Sequence, residues 1–286
     1  MKKNICLTFT LILIFLVFLY HKNVTSNILI AIHLFKNNVF PSLFPLMVLS
    51  HFLIEYGFLD VMKKILGPLM PKLFKTSENT AYILILSLLS GFPGSAIYTK
   101  DLVDKNIISN DDAEQIILFS HFSNPIFIFT MIKNKPFLVL IVHYLVNIII
   151  GILFQKKIKK DNKMLIPAQN NNNFFKIFKQ SINSSIENIL FIFGIITFFF
   201  MITAIINFPL TNALLELSQG LSYINSLNLP LKLQTALNGF LLSFGGFSVH
   251  LQTYGILSSM NIKYYNYIKA RVIHALLTFI LIFILF

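Results

Sequence analysis

Apolar residues arrive in long runs separated by short polar ones. The runs cover 5–20, 39–59, 80–90 continued by 96–106, 111–132, 136–154, 185–206, 231–257 and 265–286. Several are about 16 to 25 residues long, the length a helix needs to cross about 30 Å of hydrocarbon. No period-2 alternation competes with this pattern, so the expected fold class is all-α, a polytopic membrane protein.

Three runs are broken in the middle. Ser90-Gly91-Phe92-Pro93-Gly94-Ser95 interrupts the third, Ser123-Asn124-Pro125 the fourth, and Ser243-Phe244-Gly245-Gly246-Phe247-Ser248 the seventh. Gly and Pro so close together stop a helix, and broken backbone at membrane depth survives only where protein or a water-filled cavity covers it. The segment 80–106 therefore reads as a re-entrant hairpin. Pro41 and Pro45 bend or delay the helix of the second run in the same way.

Leu88-Leu89-Ser90 matches Leu241-Leu242-Ser243, each followed by a glycine pair and a serine, and Asn106-Ile107 recurs as Asn261-Ile262. Paired interrupted segments point to a transporter site between repeats. The expected organisation is an N-terminal anchor helix and connection (1–37), a first repeat with one further span (38–154), a Lys/Asn-rich cytoplasmic linker (155–180) and a second repeat (181–286). The repeats are expected to be inverted, each containing a broken or re-entrant helical hairpin. The stretch 208–230 holds no Lys or Arg and reads as an aqueous external connection. On that topology the second hairpin, at 231–257, opens outside, and Lys263, Lys269 and Arg271 run against the charge bias.

Composition narrows the class further. Of 286 residues 56% are hydrophobic and 12% charged, too few charges to solvate a globular surface. The net charge of +12 sits in short loops and in a linker with seven lysines between 155 and 179, which reads as topology signal and anionic-lipid contact rather than nucleic-acid binding. The single Cys6 excludes a disulfide framework and a cysteine metal site. Lys2 and Lys3 ahead of the first apolar run resemble a signal sequence, and an uncleaved anchor fits better because more spans follow. No phosphate-cradling loop, His-Glu zinc motif or nucleophile elbow is present, so no enzyme activity, cofactor or metal is expected.

Four motifs carry a family resemblance. Ser90-Gly91-Phe92-Pro93, Phe122-Ser123-Asn124-Pro125, Ser243-Phe244-Gly245-Gly246-Phe247-Ser248-Val249-His250 and Ala270-Arg271-Val272-Ile273-His274-Ala275 resemble the signatures of YlbJ-type sporulation integral membrane proteins, within the nucleoside-recognition or Gate-domain group. The chain departs from the pattern at Ile97 and His121. The resemblance implies a multi-pass protein of the inner or forespore membrane that moves dipicolinate during endospore formation, alone as a homo-oligomer or with other sporulation membrane proteins. A nucleoside-type transporter and a non-transporting scaffold of the spore envelope are the alternatives.

The candidate substrate-binding residues gather at the breaks. Arg271 lies inside the last span, where a guanidinium must snorkel, pair or line water, and its fork suits a planar dicarboxylate. His274 follows one turn later on the same face. Ser248 reads as a helix cap, with His250 and Gln252 beyond it, and Ser243, Gly245 and Gly246 form the break itself. In the first half Ser90, Gly94, Ser95 and Thr99 face His121, Ser123 and Asn124, although Asn124 would equally serve to satisfy helix ends.

Overall fold

The computed structural model describes residues 2–156, 173–260 and 262–286, so most of the expected linker, and Asn261 of the matched dipeptide, lie outside the described residues. Every regular element among them is helical. In chain order they are α1 (Lys2–Leu19), α2 (His21–Leu34), α3 (Phe40–Glu55), α4 (Phe58–Ile65), α5 (Thr80–Ser90), α6 (Gly94–Asp104), α7 (Asn110–Phe119), α8 (Pro125–Met131) and α9 (Pro136–Leu153). The second half contributes α10 (Phe174–Ile206), α11 (Pro209–Leu215), α12 (Leu217–Ser226), α13 (Leu231–Phe244), α14 (Gly246–Ile256) and α15 (Tyr264–Leu285).

Among the described residues four helices are long and apolar enough to cross a membrane: His21–Glu55, α9, α10 and α15. The first joins α2 and α3 through a π-turn at 35–39. Pro41 offers no N–H to the carbonyl four residues back, and the ladder widens just before it. Helix α15 shows the inside-out polarity of a membrane protein. Val272, Leu276, Ile280 and Phe283 are exposed, whereas Arg271, His274 and Thr278 are 0% exposed. Lipid solvates the apolar face, and polar side chains turn inward to find partners. The chain is a multi-pass integral membrane protein.

Helices α9 and α15 run antiparallel and give the molecule two ends. Lys135 lies 4.3 Å from the Phe286 ring at one end, and Lys269 lies 5.9 Å from the Phe154 ring at the other, the linker end. At 1.5 Å per residue the 18 residues of α9 separate these ends by about 27 Å. Helix α7 starts at the linker end, where Glu114 pairs with Lys156 at 3.3 Å and accepts from Asn266 at 2.6 Å. Helix α8 finishes at the opposite end, its Met131 carbonyl accepting from Asn225 at 2.8 Å. Together α7 and α8 make one crossing with a gap in it.

Helices α13 and α14 cross in the other direction. Lys232 sits 4.6 Å from the Phe283 ring, and the Tyr254 and Tyr264 rings meet at 4.8 Å. The break expected at 243–248 is therefore present, but it joins two helices end to end and does not make the hairpin expected at 231–257. It also corrects the topology, because Lys263 and Lys269 lie at the linker end with Lys156, not opposite it.

Two other pairs do fold back. The ends of α5–α6 meet at the linker end, with the Ser77 N–H on Asp112 at 2.8 Å and the Asn79 amide on Ile107 O at 3.0 Å. Helices α11 and α12 descend from the opposite end. They pack so closely that a Cβ on Gly220 would stand 2.6 Å from Ala213 O. The stretch 208–230 is thus mostly a helical pair with one buried face, not the aqueous connection its lack of Lys and Arg suggests. Leu217, Leu221 and Ile224 anchor it in the core.

The tip of α5–α6 depends on Gly91, whose φ of 74° and ψ of −173° lie where only glycine is comfortable. A Cβ there would stand 2.5 Å from the Asn124 backbone nitrogen, whereas one on Gly194 of α10 would meet nothing within 4 Å. Gly91→Ala is expected to cost about 1–3 kcal/mol, and Gly194→Ala to be neutral or slightly stabilising. Thermal unfolding of the two variants in detergent measures the contrast.

Candidate functional site

The four helix breaks meet. Between α5–α6 and α7–α8, the Phe92 N–H donates to Phe122 O at 2.7 Å. Asn124 works on both sides of that junction. Its Oδ1 accepts from the Phe127 N–H at 2.7 Å and so caps α8, while its Nδ2 donates to Ser90 O at the end of α5 and to Ser42 O in α3, both at 3.4 Å. Between α7–α8 and α13–α14, a Cβ on Gly245 would stand 2.8 Å from His121 Nε2. Between α13–α14 and α11–α12, a Cβ on Gly246 would stand 3.0 Å from the Leu217 nitrogen.

A cavity of about 40 Å³ lies at this meeting point and touches three of the breaks, at Phe92, Ser123–Asn124 and Glu216, and the body of α14 at Val249 and Gln252. One water needs about 10–15 Å³, so the space holds a few waters and would have to widen for any organic solute. Val39, Leu43, Ile192 and Ile196 make its apolar wall, and Ser123, Asn124, Glu216, Ser218 and Gln252 its polar one. The Ser123 hydroxyl has no partner. Polar groups in such a position are costly unless something enters to bond them.

Of the fifteen residues expected to bind substrate, Ser123, Asn124 and Gln252 line this cavity. The other twelve do not. Ser90 Oγ bonds back to Leu86 O at 2.8 Å, and Gly94 packs on that hydroxyl. Thr99 Oγ1 donates to Ser95 O at 2.7 Å. Ser248 caps nothing, since α14 starts at Gly246 without a side-chain cap. His250 lies between Phe244 O at 2.9 Å and the Tyr264 hydroxyl at 3.0 Å. Gly245 and Gly246 form the contacts between breaks described above.

Arg271 neither snorkels nor reaches the cavity. It is 0% exposed and donates to Leu118 O, to His274 Nδ1 at 2.9 Å and to Asn147 Oδ1 at 3.4 Å. Leu118 sits in the last turn of α7, whose carbonyls have no helical partner because the chain breaks after Phe119. The guanidinium supplies both the donors and the positive charge that a helix C-terminus favours.

A chain of hydrogen bonds continues from there. Arginine only donates, so His274 carries its proton on Nε2 and gives it to His143 O at 3.1 Å. His143 Nε2 accepts from the Ser123 N–H at 3.1 Å, which puts its proton on Nδ1, directed at Ser243 Oγ at 2.9 Å. Ser243 donates to Thr278 at 3.0 Å. His121 stacks on Phe92 at 4.7 Å, with its Nδ1 3.0 Å from the Tyr267 hydroxyl. These groups hold the breaks together from behind the cavity.

Three important residues were not singled out by the sequence. His143 and Asn147 form an i, i+4 polar pair within a run read as a clean span, and that spacing was the available signal. Glu216, 2% exposed and the single acidic residue after Glu187, lay in the stretch read as aqueous.

Arg271→Ala leaves Leu118 O, Asn147 Oδ1 and His274 Nδ1 without their donor in the interior, and is expected to cost about 1–3 kcal/mol for each acceptor that finds no other partner. Leu276→Ala, on the lipid face, is expected to cost far less. Thermal unfolding in detergent compares the two.

With the geometry established, similarity to known proteins adds context. Residues 37–136 match the Gate family, described as nucleoside recognition. Over 300 aligned residues, 86% of this chain and 74% of the relative, the chain is 25% identical to the sporulation integral membrane protein YlbJ of Bacillus subtilis. No solved structure matches. The chain is thus similar to the Gate, or nucleoside-recognition, family over 37–136 and distantly similar to YlbJ over most of its length.

Proposed function

We propose that the chain carries a small polar molecule across the membrane through the cavity at the four breaks. The observation that supports this most is the meeting of four helix breaks around a cavity with a polar wall and an unpartnered Ser123 hydroxyl, in a protein whose outer faces are apolar. Broken helices meeting near the middle of a bundle are the usual construction of a secondary-transporter site.

The element order supports two inverted repeats. Helices α3, α5–α6, α7–α8 and α9 are followed by α10, α11–α12, α13–α14 and α15, each running the opposite way. On this reading the re-entrant pairs are α5–α6 and α11–α12, one from each end. The hairpin at 90–95 then corresponds to the turn at Glu216, and not to 243–248 as the shared Leu-Leu-Ser suggested.

The linker end carries Lys72, Lys75, Lys156, Lys263 and Lys269, against Lys133, Lys135 and Lys232 at the other, so positive-inside bias places the linker end in the cytoplasm. A membrane-impermeant maleimide is expected to label Lys263→Cys from the cytoplasmic face and Lys232→Cys from the opposite face, each in a Cys6→Ser background. Labelling of both from one face would refute the assignment.

The relationship to YlbJ supports a place in a membrane of the sporulating cell, with dipicolinate as the substrate implied by that resemblance. The neutral donors of Ser123 and Gln252 at the cavity suit a carboxylate. The description of the Gate region favours a nucleoside as the second reading. Purified protein in vesicles is expected to pass radiolabelled dipicolinate faster than empty vesicles do. Gln252→Ala is expected to slow this about tenfold, the loss of one hydrogen bond to a charged group. Competition by nucleosides would favour the second reading, and flux equal to empty vesicles would leave a scaffold.

A further inference from the structure

Glu216 stands at the tip of α11–α12, outside the four spans, and lines the cavity at 2% exposure. It caps α12, its Oε2 accepting from the Gln219 N–H at 2.8 Å. No cation faces it among the described residues. The wall opposite is Val39 and Leu43 of the first span, Phe92 of α5–α6 and Ile192 and Ile196 of α10. From the gap between α7 and α8 come Ser123 and Asn124, and from α14 come Val249 and Gln252, all neutral. Of the histidines on these elements, His121 is engaged with Tyr267, His250 with Tyr264 and Phe244, His33 with Asn37 and His21 with Phe18 O, and His51 lies toward Asp101 and Glu55 at the far end of the first span. Lys100 and Lys105 pair with Asp104 and Asp101 at the outer end of α6.

A carboxylate in this position carries an uncompensated charge, and an anion placed beside it would double the problem. Arg271, the residue that could have offset an anion, is committed to the end of α7.

We propose that Glu216 sets the charge of the cargo: an anion enters the cavity only when a proton has bound the Glu216 carboxylate, and the proton travels with it. The balance is simple. One proton adds to a carboxylate oxygen on the loading side, the anion takes the neutral donors of Ser123 and Gln252, and both leave on the far side as the carboxylate reforms. This rests on the transport reading above and adds the coupling ion.

The direction of the pH effect follows from a carboxylate that must take up a proton before an anion enters. Dipicolinate flux into vesicles is expected to rise by up to about tenfold per unit, the limit for one bound proton, as loading pH falls from about 8 to about 6, where the carboxyls of dipicolinate stay ionised. An imposed pH gradient, acid on the loading side, is expected to drive accumulation. Glu216→Gln, which keeps the shape and removes the titration, is expected to lose both the pH dependence and the accumulation, while Glu216→Asp keeps them. Infrared pH titration supplies a reading that needs no substrate: a protonated-carboxyl band in the native protein that disappears as pH rises and is missing in Glu216→Gln. Superimposable pH profiles for the native protein and Glu216→Gln, or flux that follows sodium instead of pH, would overturn the coupling and leave transport standing. No flux at all by the native protein would overturn the transport reading and the coupling with it.

Discussion

A peptide N–H or C=O surrounded by hydrocarbon has no water to bond, so each helix break deep in this protein must find a partner inside the protein. That single requirement organises the centre of the molecule. Asn124 closes the end of α5 and the start of α8 at once. Phe92 and Phe122 join the backbones of two breaks directly. Arg271 closes the end of α7, and His143 takes the Ser123 N–H left behind by the same break. The polar residues that looked most like ligands in the sequence are mostly the ones that make broken backbone tolerable.

This division of labour gives the site two layers. Behind the breaks, Arg271, His274, His143, Ser243 and Thr278 form a connected network in which each group is fixed by its neighbours. In front, the cavity retains the Ser123 hydroxyl without a partner and the Glu216 carboxyl without a cation. The network supplies rigidity, and the cavity keeps the unused hydrogen-bonding capacity. A solute can exploit only the second. The small volume of the cavity means that access depends on the two hairpins, which come from opposite ends of the molecule and meet at its centre.

The polarity of α15 shows how one helix serves both layers and the lipid. Its exposed positions follow a four-residue rhythm of Val272, Leu276 and Ile280, while Arg271, His274 and Thr278 line the opposite stripe. Helical periodicity places the two sets on different faces. No soluble protein would present those faces in that order.

Run length, Gly and Pro spacing and scarce charge were local properties, and they determined that the chain is a helical membrane protein with breaks at 90–95, 123–125 and 243–248. Residue type also marked Ser123, Asn124 and Gln252, which the fold brings to the cavity. What local text could not carry was direction. A break looks the same in sequence whether the chain folds back or continues, and only packing against α9 and α15 decided that 243–248 continues and that Lys263 and Lys269 share the linker end. Tertiary structure also separated Arg271 from the cavity and brought Glu216 into it. Burial and pairing belong to the assembled bundle, because the partners that define them come from helices more than a hundred residues apart in the chain.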